Sequence, residues 1–267
     1  MTAEPDLPHR RWRGAAFPAQ VFLLAQRSLR ALLTDPRILV FSMLQPLIML
    51  VLFGQVFGQV MAAPAGGNYI NYLMPAILIT TSLGAGIQSG IGLIADIRNG
   101  VVARLRALPV NPSSVLFGRS VADLARSAFQ LVVLLVVAWL LFGFAPAGGI
   151  VGVLGSLLLA LLVSWALTWV FLALASWVRK EEIMQNIGFL AMFPLIFVSS
   201  AFVPLDMLPD WLRPLAVVNP LTYAVNASRR LALGQPLGLE VVLALATSGA
   251  LCAVCIGLAV RGYRRPL

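Results

Sequence analysis

The side chains that usually carry chemistry are few in this sequence and poorly placed for it. His9 is the only histidine and stands in an N-terminal stretch, MTAEPDLPHRRWRGAA, outside any apolar run. A single histidine there excludes bis-histidine haem ligation, a zinc-binding H-E-x-x-H pair and an intramembrane serine–histidine dyad. Lys180 is the only lysine and follows Arg179, so there is no G-x-x-x-x-G-K-[ST] loop to cradle a nucleotide phosphate. Cys252 and Cys255 form a C-x-x-C inside an apolar run, where small packing residues are expected rather than a redox pair. Ion-coupled carriers bury carboxylates or histidines at mid-membrane depth. Here Asp96 and Asp123 belong to a charged segment, and Glu240 lies at the edge of the last apolar run. Gln45, Thr81, Gln88, Ser199 and Ser200 are the polar groups left within apolar runs, and they suit a pathway wall rather than an ion-coupling site. We therefore expect no catalytic, cofactor-binding or metal-ligating set in this chain.

The elements that position these groups are read from the solvent the chain requires. Of 267 residues, 60% are hydrophobic and only 11% charged, with mean hydropathy +0.92; soluble domains carry about 25% charge. Apolar runs fall at 38–57, 70–95, 115–143, 150–178, 186–204 and 238–260, and crossing a bilayer takes about 20 helical residues. The expectation is an all-α membrane protein of six transmembrane helices forming a single domain over 17–262, with flexible tails at 1–16 and 263–267. Between Phe17 and Thr34, Gln20, Arg27, Arg30 and Thr34 share one side of a helix while Val21, Phe22, Ala25, Leu29, Leu32 and Leu33 share the other. Such a helix lies in the membrane interface. Asp35-Pro36 ends it, because proline disfavours helix at the residue before it.

The net charge of +9 follows the apolar runs instead of forming a basic face, which argues against nucleic acid. Sixteen of the nineteen Arg and Lys residues fall before the first run, around the second-to-third loop, in the fourth-to-fifth loop or in the tail. The other three, Arg213, Arg229 and Arg230, lie between the fifth and sixth runs. The asymmetry places both termini in the cytoplasm. It also puts 211–228, an apolar stretch interrupted by Pro214 and Pro220, outside as a re-entrant segment before the last helix.

The most structured polar segment is DIRNGVVARLRALPVNPSSVLFGRSVADLARSAF, residues 96–129. Gly100 interrupts a helical stretch, and Val101, Leu105 and Leu108 recur on one side with Arg98, Arg104 and Arg106 nearby. A short amphipathic helix of this kind suits a groove on another protein. Arg119, Asp123 and Arg126, spaced by four and three, read as an ion-paired helix face.

This segment resembles the cytoplasmic loop of ABC-2 type transporter permeases, in which an acidic residue, a glycine, an R-L pair and a leucine-proline recur in that order. Asp96, Gly100, Arg104-Leu105 and Leu108-Pro109 match it, although Asp96 stands where glutamate is commoner, and Gly118-Arg119 follows. NPLTYAVNASRRLALG, 219–234, is similar to the family's segment after the fifth span. The likeness covers roughly 17–262 and is nearest the daunorubicin/doxorubicin-resistance export branch.

The resemblance implies a transport subunit without its own ATPase site, located in the bacterial inner membrane. It would work with two copies of a separate ATP-binding subunit, which hold ATP and Mg, and with a second permease copy, identical or homologous. Asp96, Arg98, Gly100, Val101, Arg104, Leu105, Arg106 and Leu108 would form the ATPase-coupling surface, beside the interfacial helix with Arg27 and Arg30. Spans 1 and 5 would face the partner permease. The cargo would be hydrophobic or amphipathic. The competing reading, a self-contained secondary carrier or channel, is disfavoured by the lack of buried ionisable groups in the spans.

Overall fold

The computed structural model describes residues 16–34, 36–61, 68–106, 111–263 and 265; the side chains of 31–39, 61, 103, 106 and 112 are outside that description. Leu108, Asp35, most of the N-terminal tail and all of the C-terminal tail but Tyr263 and Arg265 therefore lie outside the described residues. The rest is mostly helical, with no strand among the described residues. In chain order the helices are α1 (Phe17–Thr34), α2 (Pro36–Val56), α3 (Gly58–Met61), α4 (Tyr69–Arg98), α5 (Val101–Arg106), α6 (Pro112–Phe142), α7 (Gly149–Val178), α8 (Glu181–Phe197), α9 (Arg213–Val218), α10 (Pro220–Ala232) and α11 (Leu239–Tyr263), with a 3-10 turn at Leu205–Met207 before α9.

Four of these, α4, α6, α7 and α11, are long and apolar enough to cross a membrane, and Val40–Val56 of α2 is a shorter apolar helix. In hydrocarbon every backbone polar group must be satisfied within the protein, which favours continuous helices. Asparagine and proline set where several of them begin. Asn111-Pro112 and Asn219-Pro220 each open a helix: the asparagine Oδ1 accepts the N–H of Ser113 (3.0 Å) or Leu221 (2.9 Å), and the proline fills a first-turn position that has no helical acceptor for an N–H. Pro112 thus starts α6 three residues before the expected 115.

α7 is the centre of the bundle, packed on α4, α11, α10 and α6. Small residues let it be approached closely, as is usual where lipid supplies no hydrophobic drive between helices. A Cβ on Gly86 would lie 2.8 Å from the Phe171 ring, and one on Gly90 would lie 2.9 Å from the Phe171 carbonyl. Gly86-x-x-x-Gly90 is therefore the α4–α7 seam. Hydroxyl pairs add polar links: the Ser164 hydroxyl donates to Ser127 (3.0 Å), and Ser156 and Ser228 share a hydrogen bond of 2.6 Å. Trp169 is fully buried against Phe117, with ring centroids 4.8 Å apart.

The expected run 186–204 is displaced. α8 begins at Glu181 and stops at Phe197, and the backbone from Val198 onward leaves the helix. Glu181 and Glu182 in its first turn favour that start through the helix dipole. Its last carbonyls are taken by side chains instead of the next turn: Asn219 Nδ2 donates to Leu195 (2.8 Å) and Val198 (2.5 Å), and the Ser199 hydroxyl to Ile196 (2.6 Å).

Candidate coupling surface at the arginine-rich end

α4 and α6 are 30 and 31 residues long, about 45 Å each at 1.5 Å per residue, some 15 Å more than a hydrocarbon core requires. The excess at the arginine-rich end forms a hairpin whose tip carries α5. α4 closes at Asn99, whose N–H donates back to Ala95 (2.9 Å). Gly100 then adopts φ +70°, a left-handed turn that only glycine takes without steric cost. Gly100 carbonyl accepts the N–H of Arg104 (3.1 Å), so α5 leaves at once in a new direction.

Within α5 the sequence pattern and the packing differ. Val101 and Leu105 are half-buried and Arg104 is exposed, whereas Val102 is 1% exposed and anchors the short helix to the core. Periodicity picked out the surface stripe and missed the anchor, because a six-residue helix carries too little pattern to separate two valines. Arg98 meets Glu181 at 3.2 Å, tying the end of α4 to the start of α8.

Beneath α5 lies an ion cluster joining the two arms of the hairpin. Asp123 on α6, 7% exposed, is approached by Arg119 Nε and Arg126 Nη2, each at 3.6 Å, and accepts a hydrogen bond from Ser89 on α4. Arg119 also pairs with Asp96 on α4, and its guanidinium lies where a side chain on Gly92 would stand. The spacing of Arg119, Asp123 and Arg126 predicted the ion-paired face. Its burial and its reach to Ser89, Gly92 and Asp96 were invisible, because they depend on how α4 packs beside α6.

α1 packs along the same end of α6. A Cβ on Gly118 would lie 2.7 Å from Leu24 Cβ and 3.2 Å from the Ala25 nitrogen, so the backbones nearly touch there. Gln20 Oε1 accepts the Asn111 N–H (3.0 Å), and Phe17 meets Phe117 edge-on at 5.8 Å. Arg27 and Arg30 are exposed. Phe22, grouped by periodicity with Val21 and Ala25, departs from them: it is 68% exposed beside Leu23, while Val21 and Ala25 turn to α6. The seam at Gly118 is narrow, and Phe22 and Leu23 stand outside it.

The remaining polar candidates separate. Gln45 and Gln88 are exposed, and Thr81 is half-buried with no hydrogen bond to its hydroxyl. Ser199 and Ser200 are buried and bonded inside the chain, Ser200 donating to Asn226 Oδ1 (2.7 Å).

They belong to a knot at the opposite end that sequence reasoning missed. Arg229 on α10 is 8% exposed. Its Nε donates to the Tyr72 carbonyl (3.2 Å), Nη1 to Asn226 Oδ1 (3.1 Å), and Nη2 to the Ser200 (3.0 Å) and Ala201 (3.4 Å) carbonyls. Its guanidinium carbon sits 3.5 Å over the Tyr72 ring. Burial pulls its pKa down to about 10, which leaves it charged at neutral pH. Arg229-Arg230 reads in sequence as a topological signal, and only the meeting of α4, α8 and α10 distinguishes the buried arginine from Arg230, which pairs with Glu240 at 3.1 Å.

The chain is 30% identical over 238 residues to the "Daunorubicin resistance ABC transporter permease protein DrrB1" of Streptomyces coeruleorubidus, covering 89% of this chain and 83% of that one. It is 25% identical over 263 residues to the "Probable doxorubicin resistance ABC transporter permease protein DrrC" of Mycobacterium tuberculosis (strain ATCC 25618 / H37Rv), covering 98% and 95%. Similarity at 22% over 167 residues extends to the "Probable multidrug ABC transporter permease YbhR" of Escherichia coli (strain K12), covering 61% and 44%. Residues 19–233 match the family model for the ABC-2 type transporter, and this multi-span membrane chain belongs to that family.

Proposed function

We propose that this chain is the permease subunit of an ATP-driven exporter in the bacterial inner membrane, moving a hydrophobic or amphipathic compound outward. Two separate ATP-binding subunits supply the energy and hold ATP and Mg, and a second permease copy, identical or homologous, completes the transporter. α2, α4, α6, α7, α8 and α11 cross the bilayer with both termini in the cytoplasm, and α9–α10 form an external re-entrant segment.

The observation that carries this reading is the braced hairpin: α5 stands at its tip, α1 runs alongside, and Asp123 with its two arginines joins the arms. An isolated surface loop would absorb a push, whereas parting the arms of this hairpin would leave buried charges without partners, which is costly. Closure of the ATP-binding subunits against Val101, Arg104 and Leu105 would displace α4 and α6 together, with Asp96, Arg98, Arg106 and Leu108 completing that contact. α2 and α8 bear the apolar faces that the rest of the chain leaves uncovered. The α2 face includes Phe41, Leu44, Ile48 and Leu52, and Gln45 lies within it. We place the second copy and the pathway there, with Gln45, Thr81 and Gln88 as wall residues.

The test is co-purification and vesicle transport with the ATP-binding subunit. Leu105→Asp is expected to abolish capture of that subunit while leaving the chain helical and membrane-inserted. Transport by the purified chain alone, without nucleotide, would overturn the proposal.

A further inference from the structure

α7 and α11 end side by side, and their junction is tight. A Cβ on Gly262 of α11 would lie 2.2 Å from the Ser176 hydroxyl and 2.6 Å from Trp177 Nε1. Trp177 is 46% exposed, yet its indole N–H donates to the Leu258 carbonyl (3.3 Å) and the Arg265 guanidinium carbon stands 3.9 Å over its ring. α11 thus fixes the indole in place while much of it faces outward. An exposed tryptophan at the end of a bilayer-crossing helix belongs at headgroup depth.

The cations at this junction divide by what they hold. Arg179 closes α7 at φ +55° and turns inward: its Nε donates to the Ser176 carbonyl (3.3 Å), and its Nη2 to the Gly262 and Arg265 carbonyls (3.4 Å each). Those carbonyls end the two helices, so the negative pole that would repel an anion there is already countered. Lys180, Arg261 and Arg265 are exposed, and their side chains have no ion pair or hydrogen bond among the described residues. α7 carries no carboxylate, and the single one on α11, Glu240, is about 30 Å away along the helix. Glu181 is held by Arg98, and Glu182 goes with α8, which packs on α4. Three available cations therefore face one exposed carboxylate at most.

The surface below them is apolar and in register. Leu251, Val254, Leu258, Arg261 and Arg265 recur at three, four, three and four, which keeps them on one side of α11 and of the turn after it. The first three are 39%, 61% and 41% exposed. A topological signal needs only charge in a loop, whereas here an apolar strip leads up to two arginines and a fixed indole. Guanidinium groups bind phosphate oxygens in pairs, and alkyl chains suit the strip. A zwitterionic headgroup brings its own cation, which would meet Lys180 and the arginines unfavourably.

We infer that Trp177, Lys180, Arg261 and Arg265 bind the phosphate of an anionic phospholipid whose acyl chains run along the Leu258 and Val254 side of α11. The site requires only that α7 and α11, each long and apolar enough to cross a bilayer, do so. It is independent of what the chain transports.

The experiment places the full-length chain in phosphatidylcholine nanodiscs containing brominated phosphatidylglycerol or brominated phosphatidylcholine. Quenching of Trp177 is read as the difference between the parent and Trp177→Phe. The glycerol lipid is expected to reach Trp177 about tenfold more effectively than the choline lipid, the scale of two or three exposed ion pairs. Raising salt to about 0.5 M should cut that preference about threefold. Arg261→Gln with Arg265→Gln should bring the ratio to about one, and the corresponding pair of lysines should keep at least half of it. Equal quenching by the two lipids in the parent would overturn the inference, and this comparison needs no variant to fold. A preference unchanged in the double glutamine variant, or one that persists in Trp177→Phe, would place the lipid elsewhere and overturn it too. Displacement by inorganic phosphate at about 10 mM would make this a site for a soluble anion, against the inference. None of these outcomes bears on the transport reading, which fails only if no ATP-binding subunit is captured or if transport proceeds without nucleotide.

Discussion

Replacing Arg229 with methionine is the sharpest test of how the end opposite α5 is held. The guanidinium uses three donor groups on four acceptors from α4, α10 and the stretch after α8, at 3.0 to 3.4 Å. Hydrogen bonds from a charged donor contribute about 1.5–3 kcal/mol each. Taking the low end for the three groups gives about 4.5 kcal/mol, and the apolar body of methionine regains about 1 kcal/mol by burial. Arg229→Met should therefore lose about 3.5 kcal/mol, since the Tyr72, Ser200 and Ala201 carbonyls keep no replacement donor. Lysine keeps the charge but not the planar fork, so Arg229→Lys should lose about half as much. The assay is reversible SDS unfolding in mixed micelles, followed by circular dichroism. A methionine variant within about 0.5 kcal/mol of the parent, the size of an ordinary surface substitution, would refute the idea that this arginine fastens α10 to α4 and α8.

Three further outcomes follow from the packing. Asp123→Ala leaves Arg126 without its partner and Arg119 with Asp96 alone, and should cost about 3 kcal/mol in the same assay; Asp123→Ala combined with Arg126→Ala should recover part of that loss. Gly118→Ala drives a methyl into Leu24 and the α1 backbone and should cost about 1–3 kcal/mol, with faster tryptic cleavage at Arg27 and Arg30 as α1 lifts. Asn219→Ala removes the cap of α10 and the donor to the Leu195 and Val198 carbonyls, so its loss should exceed the roughly 1 kcal/mol of a simple N-cap. A loss of that size or less, read from the same unfolding curves, would show that the end of α8 does not depend on Asn219.

The membrane class and the approximate place of nearly every helix were legible because apolar runs, Asn-Pro pairs and the break at Gly100 are local signals. Pro214 and Pro220 likewise marked the two short helices that α9 and α10 became. The early end of α8 was not legible: 198–204 is as apolar as the helix before it, and what ends the helix is Asn219, some twenty residues on. The α4–α6 hairpin end was half legible. The turn at Gly100 and the charged residues Asp96 and Arg98 stand out by type and order, but Val102, Ser89 and Gly92 act through contacts between α4 and its neighbours that no periodicity records. Arg229 was hidden by its twin, since Arg229 and Arg230 are identical in sequence context and opposite in burial.

The length of α4 has a consequence when its two ends are considered together. This helix is gripped twice, by Arg119 and Asp123 near Gly100 and by Arg229 at Tyr72. A rod of about 45 Å tilted by about ten degrees carries its far end through about 8 Å. Pro75 falls between the grips, three residues from Tyr72, and its missing N–H leaves the Asn71 carbonyl outside the helical ladder. α4 is thus a rod held at both ends with a weakened rung beside one hold: on the coupling proposed above, a displacement at α5 would be carried to the far side of the bundle, where the first turn of α4 has one backbone hydrogen bond fewer to resist bending.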